Sequence, residues 1–246
     1  MKKMFKTKLA LLLVAAALLT GGTFTSCSDG GESSGGDRAV EALPAPEGKD
    51  PFKSGCYSLK DNHEWYLFEI EDLEEEYGED GDCYMLFSVH DYSLIKFNTS
   101  ARTMELLDED KKVDNSSIQF KYTYSATDKT VTLALSKVAV PEDISKYIQS
   151  YIKDGKYAGS WKLVSLSEYK KAIDTLYANE SFREYLIEEG ENPDDVDEVM
   201  TWYENAFSTP LVYSYTVNED ESISLELTSP KPVHNRLGTT LQFVVE

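Results

Sequence analysis

Two stretches of this chain alternate apolar and polar residues so strictly that they leave little choice of local structure. In the first, Ile118, Phe120, Tyr122 and Tyr124 are interleaved with polar residues, Ala126-Thr127-Asp128-Lys129 turns the chain, and Val131, Leu133 and Leu135 alternate on the return. In the second, Leu211, Tyr213, Tyr215 and Val217 lead into Asn218-Glu219-Asp220-Glu221, and Ile223, Leu225 and Leu227 follow. Successive side chains of a strand point to opposite faces, so each stretch is a hairpin with one apolar face. That face must be buried against other elements, and the sequence supplies further strands at Gly55–Leu59, Glu64–Ile70, Cys83–Val89, Tyr92–Phe97 and Thr240–Val245. His90-Asp91 would join the third and fourth of these as a hairpin. The 16 Tyr, 10 Phe and 3 Trp suit such an architecture, because aromatic rings pack well on a pleated surface.

Between the hairpins the period changes to that of helices. Ile144, Tyr147, Ile148, Tyr151 and Ile152 predict a helix over 141–154, and similar stripes predict helices over 167–188 and 193–207. The expected fold class is mainly β, an antiparallel barrel or sandwich with a helical insertion. A first β unit would span 52–140 and a second, carrying the helices, 141–246. Two related halves are one arrangement: Gly55-Cys56-Tyr57-Ser58-Leu59 parallels Gly159-Ser160-Trp161-Lys162-Leu163, and the Tyr122/Tyr124 hairpin parallels the Tyr213/Tyr215 hairpin.

The first 26 residues describe an address. Lys2, Lys3, Lys6 and Lys8 form a basic head, and Leu9 to Leu19 is an apolar run too short to span a bilayer, which needs ~20 residues. Phe24-Thr25-Ser26-Cys27 resembles the lipobox of bacterial lipoproteins, with Phe24 where Leu is usual. The resemblance implies removal of residues 1–26, lipidation of Cys27, and anchoring at a bacterial outer membrane or cell surface, the periplasmic face being the alternative. Residues 28–37 contain no apolar side chain, and 27–51 reads as a lipid-anchored flexible linker ending in Pro44, Pro46 and Pro51.

Charge narrows the partners. The chain has 44 acidic and 24 basic residues, and the four lysines of the leader are lost on export, leaving a net charge of −24. Such a surface repels nucleic acid, so none is expected as a partner. With Cys27 lipidated, Cys56 and Cys83 remain, and in an oxidising compartment they are expected to form a disulfide, a buried pair of free thiols being the alternative.

Catalytic signatures are absent from the sequence. His63, His90 and His234 share no metal-ligand spacing, and there is no Gly-x-Ser-x-Gly elbow, Walker loop or Gly-x-Gly-x-x-Gly. Glu79, Asp80 and Asp82 offer oxygen ligands of the kind calcium takes but do not fit the twelve-residue EF-hand loop. No cofactor, metal or catalytic residue is therefore expected.

Gly159-Ser160-Trp161-Lys162-Leu163 resembles the first strand of lipocalin-like domains, whose opening Gly-x-Trp places an indole across the closed end of a barrel. The resemblance implies a barrel or half-barrel able to hold a small apolar ligand, with Arg236 as the basic residue packing on Trp161. Tyr57, Trp161, Arg236, Tyr122, Tyr124, Tyr213 and Tyr215 are then the candidates for closing the barrel or lining its ligand. The expected function is non-enzymatic binding at the envelope. Recognition of an envelope or host protein through exposed strands is the alternative, and an envelope hydrolase a more distant one.

Overall fold

The computed structural model describes residues 38–60, 64–70, 84–90, 93–194, 196–230 and 238–244. Among the described residues eleven strands are formed: β1 (Gly55–Leu59), β2 (Glu64–Ile70), β3 (Tyr84–His90), β4 (Leu94–Asn98), β5 (Thr103–Leu107), β6 (Ile118–Ser125), β7 (Thr130–Pro141), β8 (Trp161–Val164), β9 (Leu211–Val217), β10 (Ile223–Ser229) and β11 (Gly238–Phe243). A short α1 (Arg38–Glu41) precedes them, and α2 (Ile144–Asp154), α3 (Leu166–Tyr177), α4 (Glu180–Glu189) and α5 (Val196–Ser208) lie between β7 and β9.

Eight of the strands close a barrel. Each pairs antiparallel with its neighbours in the order β1-β4-β5-β6-β7-β9-β10-β11, and β11 returns to β1 through Tyr57↔Phe243 and Leu59↔Leu241. The ring is a meander interrupted twice, once by the β2–β3 hairpin and once by the helices with β8. Closure removes the unpaired edges that an open sheet would leave. The two alternating hairpins of the sequence are β6–β7 and β9–β10, and they are neighbours through Val131↔Tyr213 and Leu133↔Leu211. Strands from both expected β units thus share one ring, and the 140/141 boundary falls inside β7.

β7 is long because it serves two partners along one edge. Thr130–Leu133 pair with β9, and Val138–Pro141 pair with β8, while β6 runs along the other edge. A bulge at Ser136 lets Phe120 face Leu135 and Gln119 face Lys137, with the Ser136 hydroxyl donating to the Gln119 carbonyl at 2.9 Å. Ala134 and Ala139 alternate out of phase with the inward residues yet are buried, since α3 and α5 pack on this strand.

The helical insertion differs from its expected form at one point. Residues 167–188 form two helices, because Asn179 caps α4 by accepting the Phe182 N–H at 3.0 Å, and Ala178 ends α3. β8 sits on β7 outside the ring, so the Gly159–Leu163 stretch does not open the barrel, and β1 is its first strand. The parallel between Gly55–Leu59 and Gly159–Leu163 is therefore one of sequence, with no equivalence of position. Nor do β3 and β4 form a hairpin through His90-Asp91: β3 pairs with β2 as a separate two-stranded sheet, and β4 pairs with β1 and β5.

The folded part also begins earlier than Phe52. Ala39 is buried, Glu47 bridges to Ser125, and Glu47 N–H donates to the Tyr124 carbonyl at 2.8 Å. Residues 47–53 form a strap under the end of the barrel where β1 starts. Gly55 is required there: its φ is +141°, and a Cβ would lie 2.8 Å from the Phe243 ring. Gly55→Ala is expected to lower the unfolding free energy by about 1–3 kcal/mol in urea titration; an unchanged midpoint would contradict this close approach.

Candidate binding site at the two ends of the barrel

The inward faces of the eight strands join one continuous apolar core, and two segments outside the ring complete it. At the strap end Phe52 is buried, stacked on Phe97 with ring centres 3.8 Å apart, and edge-on to Tyr57 and Tyr122. Polar atoms hold this plug. Asp50 accepts the Phe52 N–H at 2.9 Å and the Tyr122 hydroxyl at 2.8 Å, and the Tyr57 hydroxyl accepts the Lys53 N–H at 2.7 Å. Burial pushes Tyr122 above the usual phenol range, and the Asp50 carboxylate adds to the effect.

Asp50 itself is raised above 3.8 by burial, against the lowering effect of its two hydrogen bonds. A group raised in the folded state favours folding when protonated, and that advantage is lost as pH rises through the folded value. Wild type is therefore expected to gain stability relative to Asp50→Asn as pH falls from the raised folded value to 3.8. Urea titrations of the pair at several pH values measure this, and a pH-independent difference would contradict the burial of Asp50.

At the opposite end, where β1 finishes, the β2–β3 hairpin turns inward. Trp65 and Val89 are direct partners in its ladder, and they and Leu67 are completely buried in the barrel core. Trp65 meets Tyr213 edge to face, with ring centres 5.6 Å apart. Among the described residues polar support is sparse. The Tyr213 hydroxyl donates to the Leu67 carbonyl at a long 3.5 Å, and the buried Trp65 Nε1 lies against the same hydroxyl without forming a hydrogen bond of good geometry. Burial also raises the Tyr213 phenol well above its usual range.

Tyr57 and Tyr122 thus reach the core at the strap end and Tyr213 at the hairpin end, all but fully buried. Tyr215 is buried with Lys129 over its ring at 5.5 Å, and Tyr124 is half-buried at the strap, its hydroxyl donating to the Gly48 carbonyl. Trp161 is not a barrel-closing residue. It sits half-buried on β8, edge-on to Tyr147 and Tyr157 of the helical layer. Arg236 lies outside the described residues, so its pairing with Trp161 does too. The ring that faces Tyr57 from the last strand is Phe243, 5.1 Å away.

Cys56 is a buried free thiol on β1, and Cys83, its expected disulfide partner, lies outside the described residues. The same holds for Cys27, His63, His234 and the calcium candidates Glu79, Asp80 and Asp82. Among the described residues no group of His, Cys, Asp and Glu side chains could hold a metal ion, and no helix is long and apolar enough to cross a membrane. Two surface concavities open on the outer wall: one along Ser214, Thr216, Ser224, Glu226 and Thr240, the other between Cys56, Lys96, Lys111 and Phe243. The sequence reading did not single out Phe52, Asp50, Trp65 or Leu67. The alternation of Trp65 with Leu67 was the available signal for the hairpin, and Phe52 after Pro51 carried none.

No family model, curated protein or solved structure matches this chain.

Proposed function

We propose that this protein is a lipid-anchored, non-enzymatic binding module of the bacterial envelope, with a lipocalin-like barrel whose interior takes a small apolar molecule. The observation that carries the reading is the origin of the core. A barrel of eight strands is just wide enough to be filled by its own side chains or to hold one small ligand. Here Trp65, Leu67 and Val89 inside it belong to a hairpin that is not part of the ring. The leader ending in Cys27 and the polar segment after it support anchoring by acyl chains.

Native mass spectrometry of residues 28–246 purified from a bacterial periplasm, followed by organic extraction, tests the reading. A stoichiometric apolar adduct is the expected result, and a clean apoprotein mass that persists after incubation with an envelope lipid extract would overturn it. The filled core favours a second reading, in which a protein partner is recognised on the outer surface. The acidic surface then fits a basic partner.

A further inference from the structure

We propose that the free edge of β8 takes an extended segment of a partner protein as an added antiparallel strand, the segment carrying an acidic residue between two apolar ones and a basic residue at each end. This rests on recognition of a protein partner, the second reading above, and is independent of what the barrel interior holds.

The closed ring has no free edge, but β8, added to its outside, has one. Its pairing phase is fixed by β7. Pro141 is the partner of Trp161 and has no N–H to give, and the Glu142 N–H donates to the Ser160 carbonyl at 2.9 Å, so Ser160 and Lys162 are the residues that bond to β7. Trp161 and Leu163 therefore turn their N–H and C=O groups away from it. Among the described residues none of these four groups has a hydrogen-bond partner, and no strand lies on that side of β8. Lys162 is exposed there, and Trp161 and Leu163 are half-buried.

The side chains around the edge select the occupant. An added antiparallel strand meets Trp161 and Leu163 in hydrogen-bonded pairs and Lys162 in a closer, non-hydrogen-bonded pair between them. A second copy of β8 in that register would set Lys162 against Lys162, and two chains of net charge −20 repel one another, so self-pairing is disfavoured. An acid opposite Lys162 turns the repulsion into attraction. Apolar residues opposite Trp161 and Leu163 suit that face, where Gly159 lets the Tyr157 ring lie against the backbone and the Tyr157 and Trp161 rings meet edge-on, 5.7 Å apart. Carboxylates stand at both ends: exposed Glu142 is paired to Ser160, and exposed Glu168 accepts the Ser165 N–H at 3.2 Å. Basic residues at the ends of the segment match them. Main-chain hydrogen bonds then supply affinity and the alternate side chains specificity.

The test titrates 15N-labelled residues 28–246 with the peptide Ac-Lys-Val-Glu-Val-Lys-NH2. Amide shifts of Trp161 and Leu163 that saturate together, with slowed hydrogen exchange at both, are the expected result. In the added strand the two valines turn their N–H groups toward β8 and the glutamate turns its own away. N-methylation of both valines is therefore expected to abolish the shifts, and N-methylation of the glutamate to leave them. Lys162→Glu, at an exposed position that keeps the fold, is expected to weaken binding about two- to fivefold, the effect of one cross-strand charge pair, and to strengthen binding of Ac-Lys-Val-Lys-Val-Lys-NH2 by a similar factor. No change at Trp161 and Leu163 with the parent peptide would overturn the edge as a docking site, and so would shifts that survive N-methylation of the valines. Protection of the two amides that rises with protein concentration in the absence of peptide would place a second copy on the edge and overturn the occupant assigned here. None of these failures touches the barrel interior, which the native mass spectrum tests separately.

Discussion

Trp65→Ala is expected to lower the unfolding free energy by about 3–5 kcal/mol, the range for truncating a large buried aromatic to Ala. The indole is fully buried between its own hairpin and the barrel, so its loss removes both the transfer free energy and the contacts of a ring against Tyr213. Trp65→Phe is expected to cost far less, because it keeps an aromatic body against the Tyr213 ring. Trp161→Ala supplies the contrast: its ring is half-buried on β8, and a loss of about 1–2 kcal/mol is expected for the smaller apolar area involved. Urea titrations of the three variants decide the order. A larger effect at Trp161 than at Trp65 would contradict the position of the hairpin inside the barrel.

Cys27→Ala is expected to move essentially all of the protein from the membrane pellet to the soluble fraction. Each buried methylene of an acyl chain contributes ~0.8 kcal/mol, so an anchor of several chains dominates any other attraction to the bilayer. The acidic protein offers little to replace it, because a chain of net charge −20 is repelled by anionic headgroups. Fractionation of cells carrying each form measures the effect. Undiminished membrane association of the alanine form would overturn the lipid anchor.

The elements legible in the sequence were those in which local pattern and tertiary burial agree. β6–β7 and β9–β10 follow directly from strict alternation, and α2 from its helical stripe, with Asp143 capping one end and Gly155 in the left-handed region at the other. The mainly β class with a helical insertion followed as well, whereas the choice between barrel and sandwich did not. The closure was not legible, because pairing β11 with β1 joins residues at opposite ends of the chain and no local signal encodes that partner. The same limit explains the His90-Asp91 connection: strand-like segments close in sequence belong to different sheets here, and only tertiary packing decides it. Trp161 drew attention through a motif, whereas the Trp that fills the barrel is Trp65, whose neighbours Glu64 and Tyr66 give an ordinary strand pattern. Of the candidate residues, Tyr57, Tyr122 and Tyr213 reach the core because each sits at an inward position of its strand. Asp50 was hidden in a proline-bearing segment that reads as linker, and its role depends on a hydroxyl 72 positions away.

The central claim is that a hairpin outside the ring fills the barrel. The most direct measurement is the nuclear Overhauser spectrum of isotope-labelled residues 28–246 without added ligand. Strong cross-peaks from the Trp65 indole to the Tyr213 ring, with a Trp65 Nε1 proton that exchanges slowly with water, are expected from rings 5.6 Å apart and fully buried in the core. Absence of those cross-peaks together with a rapidly exchanging indole proton would place Trp65 outside the barrel and contradict the account.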